Sequence, residues 1–555
     1  MNPTMRLLPI FLLGLSLLVW TPTAQAGTTY TISPSDSFSS KLAQLQPGDT
    51  LILRDGTYSP ISIDCNSNAQ NGTASAPITL QAEHERQALI MPSGDKEDAF
   101  GIYNCSYWNI EGLHMKGLAS AACPITAGVL ISVRGSAHIN IRRNLVDHLN
   151  PNGNLAAIFI GYGSHDSLVE ENEIYDLGVG SCSAGCHCNN KAIQIYNSTN
   201  VVVRRNYVNE RNDRSQVLED INPYPASQVL VENNIVENGG LAFSVDPNAY
   251  GANSNDNQFY GNIALKASLA SFFWAARCHD LNPCDGTGGG IIKNNSYKDN
   301  VSIDSAYEGM YDRGAWGNTI ESFTDINSAD RGYLYDVQSD SAYTITQTNI
   351  VNFLSTGPGD GGFYVSRFTT PPFTFSCDHC VANGKAINFI PALPDSHFTN
   401  ALSIDPQLGS CKVWIPENSP MKRAGKNGAD IGANVLYRYQ DGVLTNQPLW
   451  DPVTGRFPCG AIVPGINDVP GQSCVDVHQR LNVNTNGCPF PTGYGGTTLR
   501  GDLDGNGQRD LADVRLLIYM LLGQQATTPE ADLTNDGAVT LADVQALIRL
   551  LVGVP

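Results

Sequence analysis

Two stretches near the end of the chain, DLDGNGQRDLAD (502–513) and DLTNDGAVTLAD (532–543), repeat at an offset of 30 residues. Loop positions 1, 3, 5, 9 and 12 carry side-chain oxygen in both, and position 6 is glycine. In the first loop these are Asp502, Asp504, Asn506, Asp510 and Asp513 around Gly507; in the second they are Asp532, Thr534, Asp536, Thr540 and Asp543 around Gly537. Position 7 adds a backbone carbonyl, from Gln508 and Ala538. Calcium takes six to eight oxygens, and glycine allows the sharp turn between ligands, so this spacing predicts two calcium loops. Each runs into a helix with apolar residues at i, i+3, i+4, i+7 and i+8: Val514, Leu517, Ile518, Leu521, Leu522, then Val544, Leu547, Ile548, Leu551, Val552.

A second set of reactive residues is scattered, and only a repeating fold could gather it. KAIQIYN (191–197), QVLEDIN (216–222), LAFSVD (241–246), SFFWAARCH (271–279) and YEGMYDRG (307–314) read as strands. If they stack in register, Lys191, Gln194, Asp220, Asp246, Arg277, His279, Tyr311, Asp312 and Arg313 come together.

The elements that would stack them announce themselves. INIRRNLVDH, SLVEENEIYD, VVVRRNYVNE, VLVENNIVEN, NQFYGNIALK and GIIKNNSYKD align with Asn144, Asn172, Asn206, Asn234, Asn262 and Asn295 in one column. Three residues before each stands Ile141, Val169, Val203, Val231, Phe259 or Ile292; two residues after stands Val146, Ile174, Val208, Val236, Ala264 or Tyr297. Positions five apart fall on opposite faces of a plain strand, so both point inward only if the chain bends between them. Asn tolerates the left-handed backbone such a bend requires. The asparagines recur at steps of 28, 34, 28, 28 and 33 residues, the scale of a solenoid. The helical period is absent there, so each copy reads as strand, Asn corner, strand. The whole reads as a parallel β-helix rising about 4.8 Å per coil.

Here the chain resembles the right-handed parallel β-helix proteins of the pectin-lyase-like superfamily. LQPGDTLILRDGTYSPISI (45–63), GTASAPITLQAE (72–83) and YWNIEGLHMKGL (107–118) are similar to the N-terminal coils of chondroitinase B and the alginate lyases of polysaccharide lyase family six. Asn190-Lys191-Ala192 is the nearest approach to that family's Asn-Lys-Ser sequence. The tail is similar to a type I dockerin, whose paired loop–helix repeats bind calcium and a cohesin partner. Aspartate at position 12 matches; Leu511-Ala512 and Leu541-Ala542 replace the polar pair that cellulosomal dockerins often use for cohesin recognition.

The resemblance implies a polysaccharide lyase acting on an acidic polymer. Elimination needs a cation on the carboxylate, a base for the adjacent proton and an acid for the leaving oxygen. Lys191, Arg277 or Arg313 could neutralise charge, Lys191, His279 or an arginine could be the base, and Tyr311 could supply a proton. Asp220 and Asp246 could hold a calcium in the groove instead, or act as paired carboxylates of a glycoside hydrolase. A non-catalytic surface or adhesion module is the third reading.

Composition sets the compartment. MNPTMRLLPIFLLGLSLLVWTPTAQA has an early Arg, a short apolar run and the ending Ala24-Gln25-Ala26, which predicts a secretory signal peptide cleaved before Gly27. No later stretch is long and apolar enough to span a membrane. All 14 cysteines follow Ala26, so disulfides are expected, with Cys278/Cys284 and Cys377/Cys380 close enough for local pairs. CSAGCHC and CDHC also bring His187 and His379, donors that zinc would accept. A net charge of −20 argues against nucleic acid as a partner and for an extracellular polysaccharide only where cations are concentrated. The expected fold is therefore all-β: signal peptide 1–26, right-handed parallel β-helix 27–440, cysteine-containing tail and linker 441–498, and a small all-α dockerin-like unit 499–555.

Overall fold

The computed structural model describes residues 27–94, 97–118, 129–149, 156–177, 190–211, 217–246, 253–274, 292–337, 346–367, 373–383, 388–390, 397–469, 471–483, 488–491, 503, 511–523, 527, 531–534 and 538–551. Strands follow one another around a coil, each pairing in parallel with its counterpart one coil away. They form three long sheets of 16, 12 and 12 strands. One coil is Ala137–Arg142 in the first sheet, Leu145–Asp147 in the second and Ala156–Gly161 in the third; the next is Leu168–Glu170, Glu173–Tyr175 and Asn190–Tyr196. The helix Phe38–Leu42 places Leu42 in the same core as the first coils.

The apolar columns are buried where the repeat put them. Ile141, Val169, Val203, Val231 and Phe259 are in register, as are Val146, Ile174, Val208, Val236 and Ala264, and all ten belong to one core. Asn144, Asn172, Asn206, Asn234 and Asn262 are fully buried, and each amide nitrogen donates to the next asparagine's Oδ1 at 3.0–3.1 Å.

Two details correct the sequence reading. The sixth member of the ladder is Asn300, not Asn295: Asn262 donates to Asn300 at 3.1 Å, and Phe259 pairs with Tyr297. The segment NNSYKDN offers two asparagines five residues apart, and only Asn300 has an aromatic core residue three places before it and strand after it. Asn295 joins a second ladder at another corner, accepting from the Asn257 backbone at 2.9 Å. Nor is the ladder asparagine the left-handed residue. That conformation falls on the residue before it: Arg143, Glu171, Arg205, Asn233, Gly261 and Asp299, with φ between 50° and 64°. The asparagine amide is committed to the ladder, so its neighbour makes the bend.

Parallel coils end at Phe398–Thr399, short of residue 440. The chain beyond covers the outer face of the second sheet. Trp414, Val435, Trp450, Phe457 and Val477 pack on Leu145, Tyr175, Tyr207, Ile263 and Val301. Arg86 and Glu173, both wholly buried, pair beneath this layer, and Glu173 also accepts from Gly460 N at 3.2 Å and Asn467 Nδ2 at 2.9 Å. Disulfides Cys411–Cys488 and Cys459–Cys474 hold the layer; Cys65–Cys105 and the expected Cys377–Cys380 lie in the coils. Cys278 and Cys284, and the cluster at 182–188 with His187, lie outside the described residues.

Candidate functional site

First and second sheets are joined by only two residues in coil after coil, as at Arg143-Asn144 and Glu171-Asn172. Longer connections flank the third sheet, for example between Tyr175 and Asn190 and between Trp274 and Ile292. Such segments carry function when a rigid scaffold holds them. The second sheet's outer face is covered by the 400–491 layer. On the first, Arg142, Arg204 and Arg205 pair with Glu170, and Glu232 also receives the Asp441 and Gly442 amides. Among the described residues, no hydrophobic cluster joins the C-terminal layer to the third sheet. That outer face is the candidate site.

Its strands bend near their starts, so that Ala192 and Ile193 both enter the core, as do Ala242 and Phe243. Three outward columns result. Lys191, Glu219, Leu241, Ala270 and Glu308 share the first, with Arg331 on the strand after Glu308. Gln194, Asn222, Ser244, Phe273, Tyr311 and Leu334 share the second. The third runs from Arg134 through Gly161 and Tyr196 to Tyr224, Asp246 and Arg313, as the backbone bonds Tyr224 N to Ile195 O, Asp246 N to Pro223 O and Arg313 N to Trp274 O show.

The expected residues divide accordingly. Arg313 and Tyr311 are partly exposed neighbours, with the Arg313 guanidinium 5.8 Å from the Tyr311 ring centre and Phe273 edge-on to that ring at 5.4 Å. Arg313 makes no ion pair among the described residues. Lys191 is on the same face but is no free cation: its Nζ lies 3.3 Å from Glu219 Oε2, with the two side chains 4% and 5% exposed. Asp246 is buried in the third column. Asp220 does not face the groove. It follows the outward Glu219 at the bend, turns inside and accepts from Gly240 N at 3.1 Å, where burial pushes its carboxyl well above the ordinary range. A carboxylate pair or shared calcium site made of Asp220 and Asp246 is thereby dissolved. Asp312 also points inward, bonded by Trp274 Nε1 at 2.5 Å, Tyr333 Oη at 2.9 Å and Thr348 Oγ1 at 2.8 Å. Arg277 and His279 lie outside the described residues.

Glu308 was missed. Burial, reinforced by Asp330 and opposed by Arg331, pushes its carboxyl up to about 7. Arg331 approaches it at 3.6 Å, binds Asp330 at 2.8 Å and lies 4.3 Å from the Tyr364 ring centre. A carboxyl pushed up to about 7 is suited to proton transfer. Nothing in YEGMYDRG marks it, because burial, the main cause, and the Asp330 charge one coil away are both set by the fold.

In the tail, the position-12 carboxylates Asp513 and Asp543 are fully buried. Asp543 accepts from Thr534 N at 2.8 Å and Thr540 N at 2.7 Å, and from both hydroxyls at 3.0 and 3.2 Å; these bonds hold it below the usual carboxylate range. Leu503 N donates to Asp513 at 2.6 Å. The Asp543 carboxylate, enclosed by positions 3 and 9, supplies one of the oxygens that a cation loop requires. Asp532 and Ala538 are also described, whereas Asp502, Asp504, Asn506, Gln508, Asp510 and Asp536 are not. Leu517, Val544 and Leu547 are buried between helices Leu511–Leu521 and Leu541–Leu551. Ile518, Leu522 and Ile548, expected on that face, are 40–64% exposed instead. Two short helices bury only a narrow stripe against each other.

The family matches agree with this architecture. Residues 98–276 match the family described as right handed beta helix region, and residues 500–552 match the dockerin type I domain. No curated relative matches the sequence. Similar solved structures include a mannuronic acid specific polysaccharide family 6 lyase from human gut microbiota, at 15% identity and TM-score 0.42 over 67% of this chain and 85% of that one. Pectate lyase Pel9A has 16% identity and TM-score 0.35 over 74% of this chain and 97% of its own. The catalytic domain of a GH87 alpha-1,3-glucanase has 14% identity and TM-score 0.40 over 63% and 68%. The chain thus combines a right-handed parallel β-helix with a type I dockerin region.

Proposed function

We propose that this is an exported polysaccharide lyase that cleaves a uronate-bearing polymer on the outer face of the third sheet. The carrying observation is Arg313, a guanidinium without an ion pair among the described residues, set against the Tyr311 ring on a strongly acidic protein. In this reading Arg313 neutralises the sugar carboxylate and so acidifies the adjacent C–H. Tyr311 returns a proton to the leaving oxygen. Arg277 and His279 keep the roles their sequence positions give them, the base among them. Lys191 passes from the chemistry to support, because its charge is spent on Glu219.

Glycoside hydrolysis is the second reading, favoured by the Glu308 carboxyl held at about 7. Digestion of alginate, polygalacturonate and chondroitin sulfate separates the two. A lyase yields an unsaturated, ultraviolet-absorbing end with every cut, a hydrolase yields reducing ends alone, and a binding module yields neither.

The tail is assigned two calcium ions, held by Asp502, Asp504, Asn506, Gln508 O, Asp510 and Asp513, and by Asp532, Thr534, Asp536, Ala538 O, Thr540 and Asp543. Calcium would supply the charge that lets these carboxylates converge. A cohesin-type protein is the partner, for which the exposed Leu511, Ile518, Leu522, Leu541 and Ile548 provide apolar contact.

A further inference from the structure

The third outward column does not begin at Arg313. Toward the N-terminus it carries rings that the proposed chemistry leaves unused. Tyr162, the residue after Gly161 in that column, is 57% exposed, and Tyr196 and Tyr224 of the column are partly exposed on the next two coils. Ring centres are separated by 5.6 Å from Tyr162 to Tyr196 and by 6.0 Å from Tyr196 to Tyr224. Phe159 fills in beside them, 5.6 Å from Tyr162 and 6.0 Å from Tyr196. A side chain at Gly161 would strike that ring, with a Cβ only 2.2 Å from Phe159 Cε1. Glycine therefore lets the phenyl group fold across the column.

One cation belongs to this surface. The Arg134 guanidinium sits 5.6 Å from the Phe159 ring centre and 5.5 Å from that of Tyr162. It is held by Ser132 Oγ at 2.8 Å and by Asp98 at 3.4 Å, and its side chain remains 37% exposed. An aromatic ring as exposed as Tyr162 leaves apolar surface in water that a ligand could cover. Flat rings beside a guanidinium match a ligand with apolar C–H faces and carboxylates at its edge. A pyranose uronate has both.

We infer that Arg134, Phe159, Tyr162, Tyr196 and Tyr224 form a binding platform for a linear uronate polymer. Resting on the proposed reading of the groove, it places the chain along the solenoid axis, from Tyr162 toward Arg313. Five coils separate these ends, roughly 24 Å at the spacing of parallel strands, so several sugars are held before the chain reaches Arg313. The rings grip sugar faces, and Arg134 selects against neutral chains.

Affinity electrophoresis of the full-length protein through gels containing alginate, polygalacturonate or a neutral β-glucan tests this, alongside thermal unfolding. Wild type should be retarded by at least one polyuronate and not by the glucan. Tyr196→Ala, and separately Tyr162→Ala, should weaken retardation about tenfold, a change of 1.4 kcal/mol, with Tyr162→Ala melting as wild type does. Arg134→Gln should reduce the preference for polyuronate over glucan. Equal retardation of wild type and Tyr162→Ala in every gel overturns the platform, as does retardation by the glucan alone. Retardation with no unsaturated product would remove the lyase reading and leave the platform standing. Product formation with unaltered retardation of the variants would do the reverse.

Discussion

Lys191 shows how one side chain changes its meaning when its neighbour is known. In the sequence it is a lysine beside asparagine on a candidate groove strand; in the fold it is a nearly buried ion pair with Glu219. Removing one member of such a pair leaves the other charge uncompensated, at a cost of about 3–5 kcal/mol. Lys191→Ala should therefore lower the melting temperature sharply, and Lys191→Met with Glu219→Gln should recover much of the loss. A single mutant that melts normally but has lost activity would return Lys191 to the chemistry. Glu308 is the converse case, silent in sequence because its burial and its neighbours Asp330 and Arg331 on the next coil are set only by the fold.

At the scale of elements, the repeat was legible because one physical requirement recurs in every coil. Burying an apolar residue on each side of a corner, with an amide between them to pair along the axis, leaves a mark at Ile141-Asn144-Val146 and again at Val231-Asn234-Val236. The mark blurs where the interior turns polar. Ser302 replaces the aliphatic residue two places after Asn300, and Asp325 sits beside it on the next coil. Asp220 was misread for a related reason: alternation assigns it a face, but the strand bend reverses that assignment. Asp325 carries a consequence for pH. Burial pushes its carboxyl up to about 7, while Ser355 Oγ at 3.1 Å and Ser328 Oγ at 2.5 Å oppose the shift. A raised folded-state value means that the folded form holds the proton more tightly than the unfolded chain. The stability this contributes is complete below about pH 4 and is lost as pH rises through about 7. Asp325→Asn should flatten the fall of melting temperature between those limits; an unchanged slope would contradict the assignment.

The whole molecule divides its labour between a long scaffold and a short tail. The second sheet's outer face is taken by the 400–491 layer, the first is crossed by arginine–glutamate pairs, and the third is the face proposed to bind the polymer. The tail is predicted to take up two calcium ions, and Asp543→Ala should reduce the calorimetric stoichiometry of the full chain to one. Two sites retained in that variant, or none in the wild type, would refute the loop assignment. The proposed cleavage depends most on Arg313. The direct measurement is ultraviolet absorbance of unsaturated product released from polyuronate by wild type and by Arg313→Gln, with both proteins shown to melt alike. The wild type should release product and the variant should lose at least a hundredfold, about 2.7 kcal/mol of transition-state stabilisation. Full activity in the variant, or no unsaturated product from the wild type on any uronate polymer, would contradict the proposed cleavage.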